Sequence, residues 1–146
     1  MPSWVLPVLL VALISTLVFG GLILTARGAD QARVLIDGNG LSVEPVGWMR
    51  MWALSTGVHV PLANVVSVAA VDRSTLPLGI RAPGAYLPGV ICAGTYRRKG
   101  SKGLWLVGRA TQVLDIELTG KGYTRVVAQV ADPAATAATV NRALGR

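Results

Sequence analysis

A cluster of basic residues offers the clearest binding chemistry in this sequence. Arg97, Arg98, Lys99 and Lys102 surround two glycines in a predicted turn between strands. Neighbouring cations of this kind can bind anionic lipid headgroups or an acidic loop of a partner protein, and salt weakens such attraction. Lys and Arg at a hairpin tip also keep strand edges from pairing with other chains. We therefore interpret the turn as a candidate anionic-lipid or partner contact, with edge protection as the alternative.

The other reactive residue types show no catalytic or metal-binding pattern. His59 is the only histidine and Cys92 the only cysteine, so neither has the companions that a metal site or a nucleophile–base pair requires. The seven acidic residues are spread singly, which leaves no evident carboxylate pair for acid–base chemistry. Residues 38–40 and 100–103 lack the spacing of a phosphate-binding loop. The sequence thus predicts a protein that is not an enzyme and has no cofactor or metal.

The elements that position these residues are predicted to be mostly short antiparallel strands. After residue 30, apolar runs alternate with turns rich in Gly and Asn, and Asp37-Gly38-Asn39-Gly40 is a strong hairpin signal. Residues 74–89 are interpreted as a loop because Pro and Gly punctuate them. The predicted strands cover residues 31–36, 41–46, 48–54, 64–71, 90–96, 104–107, 112–118 and 123–131.

A helix is predicted to close this β domain. Asp132 is a good N-cap, Pro133 suits the first helical position, and apolar residues recur on one face up to Leu144. A single helix after a strongly bent sheet most economically covers the open end of a partly closed barrel. The expected fold is therefore a mainly-β domain of about seven antiparallel strands, with a C-terminal helix over 133–144.

Three segments resemble a known family. The stretch from Arg81 to Gly89, then Ala93-Gly94-Thr95-Tyr96-Arg97 and the closing Asp132-Pro133 helix, look like bacterial pleckstrin-homology-like domains. The resemblance implies seven strands in two near-orthogonal sheets capped by a helix, often beside membrane spans. It also implies binding of lipids, peptides or proteins, and it supplies no catalytic residues. The basic first hairpin of phosphoinositide-binding members has no match, since residues 37–40 include an acidic residue.

The N-terminal segment is predicted to be a transmembrane helix over residues 1–26. From Trp4 to Ala26 there is no charged residue, and a helix of this length rises roughly 33 Å, enough for a hydrocarbon core of about 30 Å. A cleaved secretory signal is the alternative, with a passable cleavage site at residues 26–28. Residues 27–32 then form a short linker, and residues 33–146 the β domain.

Charge predicts the orientation of this span. Every Lys and Arg follows it, and Arg27 and Arg33 lie closest to it. The positive-inside rule then places the N-terminus outside and the domain in the cytoplasm. A single cysteine in an apolar run agrees with a reducing compartment. The expected localisation is the inner (plasma) membrane, with one crossing.

Two apolar surfaces are candidates for contact with other molecules. Ala12, Thr16 and Gly20 recur every four residues, and such small side chains let another helix approach closely. Residues 48–54 are apolar on both faces except for one arginine, so they form either a core strand or a face that meets lipid or a partner. The candidate face consists of Trp48, Met49, Met51 and Trp52.

These features favour an accessory subunit or assembly factor of a larger membrane complex, a respiratory complex among them. Its expected partners are the lipid bilayer and a membrane protein, and the net charge of +7 favours anionic lipid as well. Nucleic acid is not expected. The alternatives are a tethered module that binds anionic headgroups, and a secreted or periplasmic domain that loses its apolar start. The Ala-, Val- and Arg-rich composition is typical of a high-GC actinobacterium.

Overall fold

The computed structural model describes residues 2–27, 30–38, 40–47, 49–76, 80–87, 91–120 and 122–145, with side chains throughout except at 22–27 and 80–87. Three α-helices and nine strands lie in these ranges. The helices are α1 (Val5–Arg27), α2 (Met49–Ala53) and α3 (Pro133–Ala143). The strands are β1 (Ala32–Asp37), β2 (Gly40–Pro45), β3 (Val58–Pro61), β4 (Val65–Asp72), β5 (Ile80–Leu87), β6 (Ile91–Arg98), β7 (Ser101–Val107), β8 (Gln112–Leu118) and β9 (Arg125–Ala128).

The strands form two separate sheets. The smaller has the order β1-β2-β3, and the larger has the order β4-β8-β9-β7-β6-β5, in which β7 and β9 run parallel. The prediction of one partly open barrel of about seven antiparallel strands is therefore wrong. The chain leaves the first sheet at Pro61, where a short 3₁₀ turn (Leu62–Asn64) redirects it before β4 begins.

The main core lies between the larger sheet, the smaller sheet and two helices. Alternation along β8 directs Leu114 and Ile116 into this core, while Val113 and Asp115 face the opposite side of the sheet. Helix α3 contacts β4 and β8 and buries Ala137 and Val140. A second, smaller apolar cluster lies on the opposite side: Cys92, Tyr96, Trp105, Val107, Val113 and Val127.

Local chemistry explains where α3 begins. The carboxylate of Asp132 accepts a hydrogen bond from the backbone N–H of Ala135 at 3.0 Å, and Pro133 occupies the first turn. Both features stabilise a helix start, because they satisfy or remove N–H groups that have no partner within the helix. The sequence predicts a helix over 133–144, and α3 ends one residue earlier.

The predicted transmembrane helix is corrected by the structure. No helix within the described ranges is long and apolar enough to span a membrane. The predictions of a single-pass topology, of an inner-membrane localisation and of a cytoplasmic domain all depended on this span. The structure therefore does not support them either.

Residues 49–53 form a helix where the sequence predicts a strand. In α2, Met49 and Ala53 lie one turn apart and are both buried, whereas Arg50 and Met51 are exposed. The apolar run is short, so its periodicity fits a strand and a helix equally well. Packing of one helical face against β2, β5 and β6 decides between them.

Strand β5 lies inside the segment that the sequence predicts to be a loop. It pairs antiparallel with β6, and its register shifts between Arg81 and Gly84, where the chain contains Pro83. Proline is tolerated in edge strands and at bulges, because no ladder hydrogen bond is then lost. The Pro and Gly residues therefore mark an irregular edge strand.

Candidate functional site

Helix α1 exposes large apolar side chains around its whole circumference. The exposed fraction is 74% for Leu6 and 66% for Leu17, and the residues between them are similarly exposed. A helix that is apolar on every side is normally buried in a larger structure. Within the described ranges, the rest of the chain leaves this part of α1 uncovered.

The three small residues predicted to pack another helix lie on this uncovered part of α1. Ala12 and Thr16 are exposed, and the Thr16 hydroxyl donates a hydrogen bond to the Ala12 carbonyl at 2.8 Å. A Cβ atom added to Gly20 would meet nothing within 4 Å. The hydroxyl of Thr16 is satisfied within the helix, so the small-residue surface presents little unpaired polarity to a partner.

Helix α1 contacts the β domain at Gly21. A Cβ atom at Gly21 would lie 3.2 Å from Cζ2 of Trp52, whose ring packs on the main core. Met49 is fully buried and Met51 is 53% exposed. The predicted apolar face is thus divided among core, surface and α1 contact, and its fourth member, Trp48, lies outside the described residues.

The predicted basic turn does not place its four cations on one surface. Lys99 and Gly100 form the two-residue turn with positive φ, and β6 and β7 pair Arg97 with Lys102. Strand alternation directs this pair to one face and Arg98 to the other. The Lys102 ammonium lies 4.7 Å from the centre of the Tyr123 ring, a cation–π contact.

Arg98 and Lys99 instead border an open cleft of about 320 Å³ on the side of the larger sheet that faces away from the main core. Aromatic and charged side chains from β6 to β9 surround it. Tyr96 and Trp105 form an edge-to-face pair there, with ring centres 6.0 Å apart. The cleft therefore combines an aromatic wall with a basic rim.

An ion-pair cluster that the sequence did not predict lies beside this cleft. The Arg125 Nε atom is 3.1 Å from Asp115 Oδ1, and Nη2 is 2.7 Å from Glu117 Oε1. Burial raises the pKa of Asp115, the Arg125 charge partly offsets this, and Glu117 raises the pKa slightly further. Two acidic residues at i and i+2 on a predicted strand were the available signal, because they share one face.

His59 and Cys92 each have a structural environment. The His59 Nδ1 atom lies 2.5 Å from the Ser42 hydroxyl, and its ring lies against Gly40. Burial raises the pKa of Cys92 to about 11, although a hydrogen bond with Tyr96 partly opposes this. Within the described residues, no group of three or more His, Cys, Asp or Glu side chains could hold a metal ion.

Comparison with protein-family models, curated proteins and solved structures finds no match for this chain. The described architecture is mainly β, but it has no feature that identifies a pleckstrin-homology-like fold.

Proposed function

We infer that this chain is a non-enzymatic accessory subunit that docks on a partner protein through α1. The observation that supports this most strongly is the uncovered apolar surface of that helix. Contiguous exposed apolar surface of this extent is unusual for a monomer and marks an interaction site. The β domain then holds α1 in a position where it can contact the partner.

Apolar burial supplies the free energy of docking. Full burial of one Leu, Val or Phe side chain contributes roughly 1.5–3 kcal/mol, and α1 exposes many of them. Part of this gain is offset by the loss of translational and rotational freedom on association. A partner that covers several sides of α1, such as a groove between apolar helices, suits this surface best.

The small-residue surface fits the same mode of docking. Because Ala12, Thr16 and Gly20 project little from the helix, a second backbone can approach closely and gain dispersion contacts along it. Their spacing keeps them on one side of α1. The accessory subunit thus has a preferred side for its closest neighbour, while larger side chains are buried on the other sides.

Charge on the domain supplies orientation. The chain carries a net charge of +7, and Arg98 and Lys99 are exposed at the tip of the β6–β7 hairpin. Charged residues at the rim of an interface contribute more to the association rate and to the choice of partner than to affinity. We expect an acidic surface on the partner opposite this tip.

The proposal is tested by purifying the tagged full-length chain from its source cells at native expression, in mild detergent. We expect one partner protein at constant stoichiometry. Leu13→Asp should abolish its recovery, because a carboxylate would be buried in the apolar contact. Ala138→Asp places the same charge on an exposed position of α3 and is the matched control.

A second pair of variants tests the small-residue surface. Gly20→Leu has open space around its Cβ, so it should leave the melting temperature unchanged and reduce recovery of the partner. Gly21→Leu would instead displace the Trp52 ring and should lower the melting temperature. Undiminished recovery of the partner with Leu13→Asp would contradict the proposed function.

A further inference from the structure

The outer edge of strand β1 is open beyond its first residue, where the Ala32 N–H bonds to the Gln129 carbonyl and α3 contacts the strand. The outer strands of the larger sheet, β4 and β5, both have register irregularities. The other outer strand of the smaller sheet, β3, has four residues and ends in Pro61. Strand β1 has six residues, no proline and an uninterrupted register with β2. Bulges, prolines and short length are among the protections against edge-to-edge pairing, and β1 has none of these three. It does carry two charged residues, Arg33 and Asp37.

Backbone groups of β1 point outward from this edge. The N–H of Ala32 bonds to the Gln129 carbonyl at 3.1 Å and therefore points away from β2. Backbone direction alternates along a strand, so the N–H and C=O groups of Val34 and Ile36 point the same way. Neither residue has a backbone partner on that side among the described residues.

The side chains along β1 are self-complementary. Arg33 and Asp37 are exposed, and they lie two residues before and two residues after Leu35, which is 42% exposed. If a second copy of β1 paired antiparallel with Leu35 opposite Leu35, Arg33 of each copy would lie opposite Asp37 of the other. Val34 would pair with Ile36 of the second copy, which is the pairing that the outward backbone groups require.

We propose that two copies of this chain pair through β1, antiparallel about Leu35, to form one continuous six-stranded sheet. The sheet order in the dimer is β3-β2-β1 followed by the same three strands of the second copy in reverse. Opposite charges directly across an antiparallel pair stabilise it, and like charges destabilise it. This inference does not depend on α1 or on the proposed accessory function, because the edge lies on the β domain.

Disulfide trapping tests the pairing directly. Residue 35 meets its own copy in a non-hydrogen-bonded pair, for which the Cα atoms lie about 4.5 Å apart. Disulfides span Cα separations of about 4.4–6.8 Å, so Leu35→Cys should trap a covalent dimer under mild oxidation. The full chain is kept in non-ionic detergent to cover α1. The wild type, whose one cysteine is buried, measures the background.

Thr119→Cys provides an exposed cysteine away from β1 and is the matched control. We expect Leu35→Cys to form the covalent dimer at least tenfold faster than this control. Equal rates would overturn the proposal, and they are the expected outcome if α1 drives self-association or if β1 binds another protein.

Charge variants in the Leu35→Cys background identify the geometry. Arg33→Asp and Asp37→Arg each place like charges opposite one another and should slow trapping at least tenfold. The double variant restores opposite charges and should recover most of the original rate. Trapping that is unchanged in both single variants, or not rescued in the double variant, would refute the antiparallel register.

Discussion

Arg125 illustrates how strand alternation builds chemistry from residues that are scattered in the sequence. Its guanidinium group contacts Asp115 and Glu117, which share one face of β8 beside β9. The two acidic residues look isolated when only distances along the chain are counted, and they become neighbours once they are projected onto one face of a strand. Burial against the second apolar cluster then raises the pKa of Asp115.

The raised pKa of Asp115 predicts a pH dependence of stability. The folded protein binds a proton at this carboxyl more readily than the unfolded chain, whose pKa is near the ordinary value of 3.8. This group therefore favours folding below that pH, and the contribution is lost as the pH rises through the raised folded pKa. The difference in free energy of unfolding, wild type minus Asp115→Asn, should fall as the pH rises from 3.8 upward.

Urea unfolding between pH 3 and pH 7 measures that difference for both proteins. Exposed Asp30→Asn serves as the control, because it removes the same charge elsewhere. If the free energy of unfolding of the wild type minus that of Asp115→Asn instead rises with pH, the ion pair with Arg125 affects the pKa of Asp115 more than burial does, which would contradict this prediction.

The ring of His59 leaves no room for a side chain at position 40. A Cβ atom at this position would lie 2.7 Å from Cε1 of that ring, so Gly40→Ala should displace the ring and break its hydrogen bond with Ser42. We expect a loss of about 1 kcal/mol in the free energy of unfolding, the typical value of one hydrogen bond. Gly103→Ala, whose Cβ would keep 3.5 Å from its nearest neighbour, is the control.

Thermal or urea unfolding in a His59→Ala background completes that test. Without the ring, Gly40→Ala should have little effect on stability. A loss of the same size in both backgrounds would show that the ring is not the cause.

At the scale of elements, α2 gives the clearest contrast between sequence and structure. In a strand, Met49 and Met51 would share a face, whereas in α2 they lie on different sides. Met49→Ala should lower the free energy of unfolding by about 2–5 kcal/mol, because it empties a fully buried position. Met51→Ala should stay within about 0.5 kcal/mol of wild type, because it is exposed.

Unfolding in guanidinium chloride checks both methionine variants. Similar large losses would support a strand with both residues in the core. If residues 49–53 form a helix, the loss of stability for Met49→Ala must exceed the loss for Met51→Ala by more than the experimental uncertainty.

Several elements could be predicted from local sequence, and the reasons for the failures are physical. Two-residue turns with glycine locate the hairpins, and Asp132-Pro133 locates the start of α3. The division into two sheets depends on long-range pairing, including the insertion of β9 between β7 and β8. No local pattern encodes that insertion, and the cleft with its aromatic wall depends on it.

At the scale of the whole molecule, an apolar helix projects from a basic β domain. The sequence predicts a helix at this end, and α1 covers Val5–Arg27. It could not show that the apolar side chains between Leu6 and Phe19 stay exposed while Gly21 lies against Trp52, because both depend on tertiary packing. The uncovered surface, together with the charge of the domain, supports the role of an accessory subunit.

Cysteine labelling along α1 in the purified complex tests this account most directly. Leu6→Cys, Leu13→Cys and Leu17→Cys are all exposed in the chain alone and should react rapidly with a maleimide probe. Bound to the partner, all three should be protected at least tenfold, while Thr119→Cys on the domain should react equally in both states. Labelling of the α1 cysteines in the complex at the rate seen in the free chain would contradict the account.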